Sequence, residues 1–325
     1  MEQGKNESIA NPLENYTFHV GTAPTDYSVA FEESLFNSYE HRILQSLTGW
    51  HSFFILDDRE KKICGAIHFH VLEGVALSPL RSPFGSLEFA DDLDQKVLSG
   101  FIEYFQQQLQ ALNVSKIMIK NPPELYSSHI RIFQDLLCSK GFIVSFNELD
   151  SAILIRGKHY DEIIHARKRR RLRQIFNESL EFKLLDYQSL NDVYNFIHQR
   201  REEKGMKLSM TLDDLSKTVS SFKNEYPLFG VYHSNELVAA SVTVRVNSKI
   251  LYHFISDYIR KTEKMAPGLV LMQGIYNYCV AQKITLLDLG TSQINDNQNE
   301  TLIRFKKEIG GIENTKCTLI KEIAL

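Results

Sequence analysis

A chain of 325 residues with 43% apolar and 24% charged side chains is long enough for two domains with sizeable cores, and its composition excludes the disordered, collagen-like and fibrous classes. A formal net charge of −3 supplies no global attraction to nucleic acid or anionic lipid, so any such contact must come from a local patch. The scattered cysteines Cys64, Cys138, Cys279 and Cys317 read as free thiols of a reducing compartment and exclude a disulfide framework.

Met1 to Asn15 is polar and aperiodic and reads as a loose leader. It has neither the basic start nor the apolar run of a signal peptide. Nowhere do about 18 apolar residues follow one another, so no membrane span and a cytoplasmic location are expected. Order is expected from Tyr16. Phe53 to Val71 reads as two strands around the charged turn Asp57 to Lys62. Cys64, His68 and His70 share one strand face by period two, but neighbours on one strand rarely converge on one ion and no fourth ligand is apparent; no metal site is expected. Arg81-Ser-Pro-Phe-Gly is a turn-rich loop that could grip a substrate, although chain reversal alone accounts for it. A helical period over Leu93 to Leu112 and a short strand at Lys116 to Lys120 complete the first half.

A basic segment from His165 to Phe176 follows, then a strand at Phe182 to Leu185 and a helix at Leu190 to Gly205 with Val193, Phe196 and Ile197 on its buried face. The order of the first half then recurs. Leu228 to Tyr232, Leu237 to Val246 and Ile250 to Ser256 read as strands; Pro267-Gly268 opens a helix over Leu269 to Ala281; Ile284 to Leu289 is a compact strand. Two copies of one unit, with strands before and after a helix, favour an α/β fold with a mixed sheet in each half. The expected boundary is Gly157-Lys158, giving domains over 1–157 and 158–325.

Several residues could carry chemistry. Unpaired amides at the Ala266-Pro267-Gly268 helix start favour an anion, while a plain helix start is the simpler account. Asp288 lies near a strand end beside Gly290 and Ser292, where open sheets often present functional groups; it could orient an amine or cap the following loop. The Tyr252 hydroxyl could hydrogen-bond an acceptor, or the ring could be core with a wet tip. Arg167 to Arg173 holds six cations in seven residues. Its Arg169, Arg170 and Arg173 could hold phosphates, or the run could be a solvated helix face. There is no nucleophile elbow, P-loop or dinucleotide fingerprint, which favours direct transfer over a covalent enzyme intermediate.

Lys168-Arg-Arg-Arg-Leu-Arg, Ile250-Leu-Tyr, Ala266-Pro-Gly-Leu-Val-Leu-Met-Gln, Leu287-Asp-Leu-Gly-Thr-Ser and Arg304-Phe-Lys-Lys-Glu-Ile-Gly, in this order and spacing, resemble the FemAB-like branch of the GNAT superfamily. That branch holds the bacterial peptidoglycan-bridge aminoacyltransferases. The resemblance is specific from Arg167 to Gly311. It implies two tandem GNAT-like acyl-CoA N-acyltransferase domains, the C-terminal one catalytic, and transfer of an acyl or aminoacyl group to an amine. The acceptor would be a small molecule or a cell-wall precursor, the donor an aminoacyl-tRNA or acyl-CoA, and no cofactor would be bound.

The family's phenylalanine-lysine motif falls on Phe305-Lys306, where the resemblance implies a cation that stabilises the tetrahedral intermediate. From composition alone, Lys306 and Arg304 read as solvated members of a charged run. The chain departs from ordinary GNAT acetyltransferases in lacking their Gln/Arg-x-x-Gly-x-Gly/Ala loop, which weakens the case for acetyl-CoA and leaves the donor open. The expected site therefore combines Lys306, Asp288 and Tyr252 at the reacting groups, Ala266, Pro267, Gly268 and Arg304 at an anionic donor group, and Arg169, Arg170, Arg173 and Ser292 at the acceptor or its phosphates. Two alternatives are an acyl-CoA-dependent acyltransferase of small molecules and a non-catalytic protein that binds a nucleotide-linked or RNA ligand through its basic run.

Overall fold

The computed structural model describes residues 15–175, 180–259, 265–294 and 297–323, so the expected leader lies outside the described residues apart from Asn15. The chain divides into two units after Asn147, and the C-terminal segment from Cys317 returns to the first. The division lies ahead of the Gly157-Lys158 join expected from the sequence.

In the first unit the main elements are β1 (Tyr16–Val20), α1 (Tyr39–Gln45), β2 (Trp50–Asp57), β3 (Lys62–Leu72), β4 (Val75–Ser78), α2 (Gln95–Ala111), β5 (Lys116–Lys120) and α3 (His129–Ser139). The strands pair in the order β1-β2-β3-β4-β5, and the returning C-terminal strand pairs with β5 through Thr318↔Lys120 to Glu322↔Lys116. Neighbours are antiparallel except β4 and β5, which run parallel from Val75↔Lys116 to Ser78↔Ile119. A parallel pair cannot be joined by a tight turn, and α2 makes the crossover. Val97, Leu98, Phe101, Ile102, Phe105 and Leu109 recur at helical spacing on its buried face. They pack against Phe53, Ile67 and Phe69 of the sheet, each burial contributing roughly 1.5–3 kcal/mol.

The chain continues through β6 (Ile143–Leu154), α4 (Ala166–Ile175), β7 (Leu180–Leu185), α5 (Leu190–Glu202), α6 (Leu212–Ser221), β8 (Leu228–His233), β9 (Glu236–Arg245), β10 (Ile250–Tyr258), α7 (Pro267–Ala281), β11 (Leu286–Thr291), α8 (Glu300–Glu308) and β12 (Ile312–Glu322). In the second unit the strand order is β6-β11-β10-β9-β8-β7. Again one pair is parallel, β10 with β11, and again one helix, α7, makes the crossover. The repeat expected from the order of elements is therefore present as a repeat of pairing. The helix α7 is apolar nearly all round and buries Leu269, Leu271, Met272, Ile275, Tyr276 and Cys279. Gly274 sits where α7 meets β7: a Cβ there would lie 2.2 Å from Phe182 Cδ2. The four cysteines are unpaired.

Candidate functional site

The parallel pairing of β10 and β11 runs from Ile250↔Leu286 to Tyr252↔Asp288 and stops, although β10 continues to Tyr258 and β11 to Thr291. Past that pair the two strands part from each other, β10 staying on β9 as far as Ala239↔Tyr258 and β11 on β6 at Thr291↔Asp150, and such a parting at strand ends is where open α/β sheets present their sites. The start of α7 lies at the end of β10, because a Cβ on Gly268 would come within 3.1 Å of Tyr258 Cδ1. Its N-cap Ala266 has left-handed geometry, φ 46° and ψ 52°, and offers no side-chain cap. Pro267 has no N–H and the Leu269 N–H bonds Ala266 O at 2.9 Å, which leaves the Gly268 N–H without an acceptor among the described residues. In the first unit the crossover helix α2 starts differently: Asp94 caps it, accepting the Lys96 N–H at 2.6 Å. A carboxylate caps that helix start, whereas the α7 start has no side-chain cap.

Lys306 lies at the end of β11. On α8 it shares a face with Ile303, three residues earlier, and the ammonium turns inward with the side chain only 4% exposed. It donates to Gly290 O at 2.6 Å and Thr291 O at 2.9 Å. Of three N–H groups, one is uncommitted among the described residues. Burial brings the ammonium down to about 8, while Asp150 and Asp288 pull the other way and Lys316 adds to the fall. The bend that offers the two carbonyls needs Gly290, at φ 72°, and the Asp288 carboxylate fixes it by accepting the Gly290 N–H at 2.6 Å. The helix ends tightly: Gly311 N donates to Lys306 O at 2.8 Å, and a Cβ on Gly311 would stand 2.7 Å from that oxygen.

Tyr252 lies opposite Asp288 in register, with its ring edge beside Gly290. Burial, then Asp288, Asp150 and Glu148, raise its hydroxyl above the ordinary range, so it remains protonated. Three further ionisable groups border Lys306 that the sequence reading did not single out. Asp150 of β6 is pushed up to about 9 by burial and by Asp288. His253 is brought down to about 4 by burial, Lys306 and Arg201, and its buried Nε2 has no hydrogen-bond partner among the described residues. Lys316 pairs with Glu148 at 3.2 Å. The helical phase Ile303, Lys306, Ile309 was the one available signal; it puts Lys306 on an apolar stripe.

Residues 165–307 match the family profile described as the Acetyltransferase (GNAT) domain. Among solved structures the chain is similar to FemX, with a TM-score of 0.69 at 12% identity over 90% of this chain and 93% of that one. The fold is that of the tandem GNAT proteins. L-PGS from Bacillus licheniformis follows with a TM-score of 0.52 at 14% identity, covering 84% of this chain and 85% of that one. The C-terminal domain of a putative lysylphosphatidylglycerol synthetase from Agrobacterium fabrum gives 0.51 at 11%, covering 80% and 82%. Comparison with curated protein sequences found no match.

The remaining candidates lie in distinct settings. Ser292 is fully buried; its N–H donates to Leu149 O and its carbonyl accepts from Asn299 N, the N-cap of α8, while its Oγ lacks a partner among the described residues. Arg304 is exposed on the outer side of α8. On α4, Lys168 pairs with Glu308 at 3.2 Å and lies over the Phe305 ring, and Arg169 reaches Ile164 O at 3.4 Å. Arg167, Arg170 and Arg173 recur every three residues on the exposed side, with Arg173 3.9 Å from Asp161. At the far end of β10, buried Asp257 is held by Lys204 at 2.6 Å and Arg201 at 3.4 Å.

In the first unit His68 bonds Ser52 Oγ at 2.9 Å, His70 packs edge-on against Trp50, and Arg81 ties its loop to the Gln45 carbonyl. Among the described residues no group of three or more His, Cys, Asp or Glu is placed to hold a metal, and no helix is long and apolar enough to cross a membrane.

Proposed function

We propose that the GNAT domain transfers an acyl or aminoacyl group from an activated ester or thioester to an amine. The observation that carries this reading is the inward-turned Lys306, a buried cation at the end of β11 with one N–H uncommitted among the described residues. The amine nitrogen attacks the donor carbonyl and a C–N bond forms. Negative charge then moves onto the carbonyl oxygen, where the free Lys306 N–H can meet it; a charged donor in a dry site is worth far more there than in water. As the C–O or C–S bond breaks, the proton lost by the amine passes to the leaving oxygen or sulfur. Tyr252, held protonated, orients the acceptor without acting as a base. Asp288 acts on the protein, fixing the bend that seats Lys306.

The open start of α7 suits an anionic part of the donor. Counted along the strands from the Tyr252↔Asp288 pair, Tyr258 lies roughly 20 Å out and Gly290 roughly 7 Å, a separation that favours an extended donor with phosphate at one end and its carbonyl at the other. Aminoacyl-tRNA and acyl-CoA both have that form, and the exposed arginines of α4 would add phosphate contacts. The amine of a small molecule or of a cell-wall precursor is the corresponding acceptor.

The test is incubation with acyl-CoA and aminoacyl-tRNA donors and a panel of amines, with amide product read by mass spectrometry and donor binding by calorimetry. Amide formation from either donor supports the reading and identifies the donor. Salt-sensitive binding with no amide from any pair contradicts it and supports a non-catalytic binding protein.

A further inference from the structure

The second unit buries more ionisable groups around Lys306 than the transfer chemistry uses. Glu148 and Asp150 lie two residues apart on β6 and so share a face. Glu148 pairs with Lys316 of β12 at 3.2 Å. Asp150, 1% exposed, lies two residues from Ala152, the register partner of Asp288, so it shares a face of the sheet with Asp288, itself 2% exposed. Lys306 approaches from α8, and Tyr252 and His253 border the group from β10.

Two buried carboxylates on one face repel when both are ionised, and neither can donate to the other unless one is protonated, so the pair favours a single proton. Charge counting agrees. Three carboxyl groups, Glu148, Asp150 and Asp288, face two ammonium groups, Lys306 and Lys316, and one proton on the acids makes the buried cluster neutral. The two acids differ in what supports a charge. Asp288 Oδ1 accepts the Gly290 N–H at 2.6 Å, a bond that favours the ionised form, whereas Asp150 Oδ1 is buried with no hydrogen-bond partner among the described residues.

We propose that Asp150 is a positioning residue that holds this proton, leaving Asp288 as the charged member that fixes the Gly290 bend and, through its carbonyl, the Lys306 ammonium. The functional meaning rests on the role given to Lys306; the test does not. Asp150 is raised to about 9 by burial and Asp288, and Lys306 is lowered only to about 8, so both are protonated at neutral pH.

The experiment is an infrared titration of the full chain carrying 13C in its aspartate side-chain carboxyls. At neutral pH the wild type should show the carbonyl stretch of a protonated carboxylic acid, and this band should titrate away near pH 9. It should be absent from Asp150→Asn, whose amide imitates the neutral acid. In Asp288→Asn it should titrate away at lower pH, because the neighbour that repels ionisation is gone. No such band at neutral pH, its persistence in Asp150→Asn, or an unchanged midpoint in Asp288→Asn overturns the proposal. If Asp150→Asn does not fold, the wild type and Asp288→Asn decide the matter. A chain that shows the band yet forms no amide refutes the transfer reading and leaves the proton assignment standing.

Discussion

Replacing Lys306 with methionine keeps the apolar stem and its volume and removes the ammonium. The side chain now tethers Gly290 O at 2.6 Å and Thr291 O at 2.9 Å, so both carbonyls lose a charged donor; a buried acceptor left unsatisfied costs roughly 1–3 kcal/mol. Ionised Asp288 loses a buried counter-charge, while the cost of burying the ammonium disappears. Removing one member of a buried charged group costs about 3–5 kcal/mol after that relief, a large share of a typical domain's stability. Arg304, two residues away and exposed, is the internal control: Arg304→Met should stay within about 0.5 kcal/mol of wild type. Urea unfolding followed by circular dichroism measures both. If Lys306→Met lies within about 1 kcal/mol of wild type and cannot be told from Arg304→Met, the inward-held cation is wrong.

Further outcomes follow from other contacts. Gly274→Ala should gain about 1 kcal/mol in helix propensity yet destabilise the protein overall, because its Cβ would fall 2.2 Å from Phe182 Cδ2. Equal or greater stability in chemical denaturation would contradict the α7–β7 packing. Asp150 has a folded value above its ordinary one, so its contribution to stability is complete at low pH and is lost as pH rises from about 4 through about 9. Wild type should therefore lose melting temperature relative to Asp150→Asn across that window; parallel curves would argue against a protonated Asp150. The double change Arg167→Glu with Arg170→Glu should leave the fold intact, weaken binding of a phosphate-bearing donor and flatten its salt dependence. Unchanged calorimetric binding would remove α4 from the donor site.

Much of this architecture is legible in the sequence because periodicity marks it. The apolar spacing of Leu93 to Leu112, the Pro267-Gly268 helix opening and the compact run ending at Leu289 each found an element, and their order revealed the repeat. The strands β6 and β12 are harder to read. In β6 the first five residues, Ile143 to Asn147, are exposed and the buried ones come only later, so no single alternation runs through it. In β12 lysines and glutamates stand beside buried Asn314, Lys316 and Cys317. The return of the last strand to the first unit depends on pairing with β5, a contact far apart in sequence.

The site shows the same limit. Lys306 sits in a charged run whose composition suggests solvent, and only its phase with Ile303 indicates burial. Asp150 and His253 carry no motif; they become chemically distinctive because β6 and β10 bring them against Lys306.

The decisive measurement is the kinetic split of Lys306→Ala on an identified donor and amine. An oxyanion donor acts in the transition state, so kcat should fall by about 10²–10³ while KM stays within about threefold. A variant that raises KM and keeps kcat would show that Lys306 only binds substrate, and unchanged values for both would contradict any part for it in the transfer.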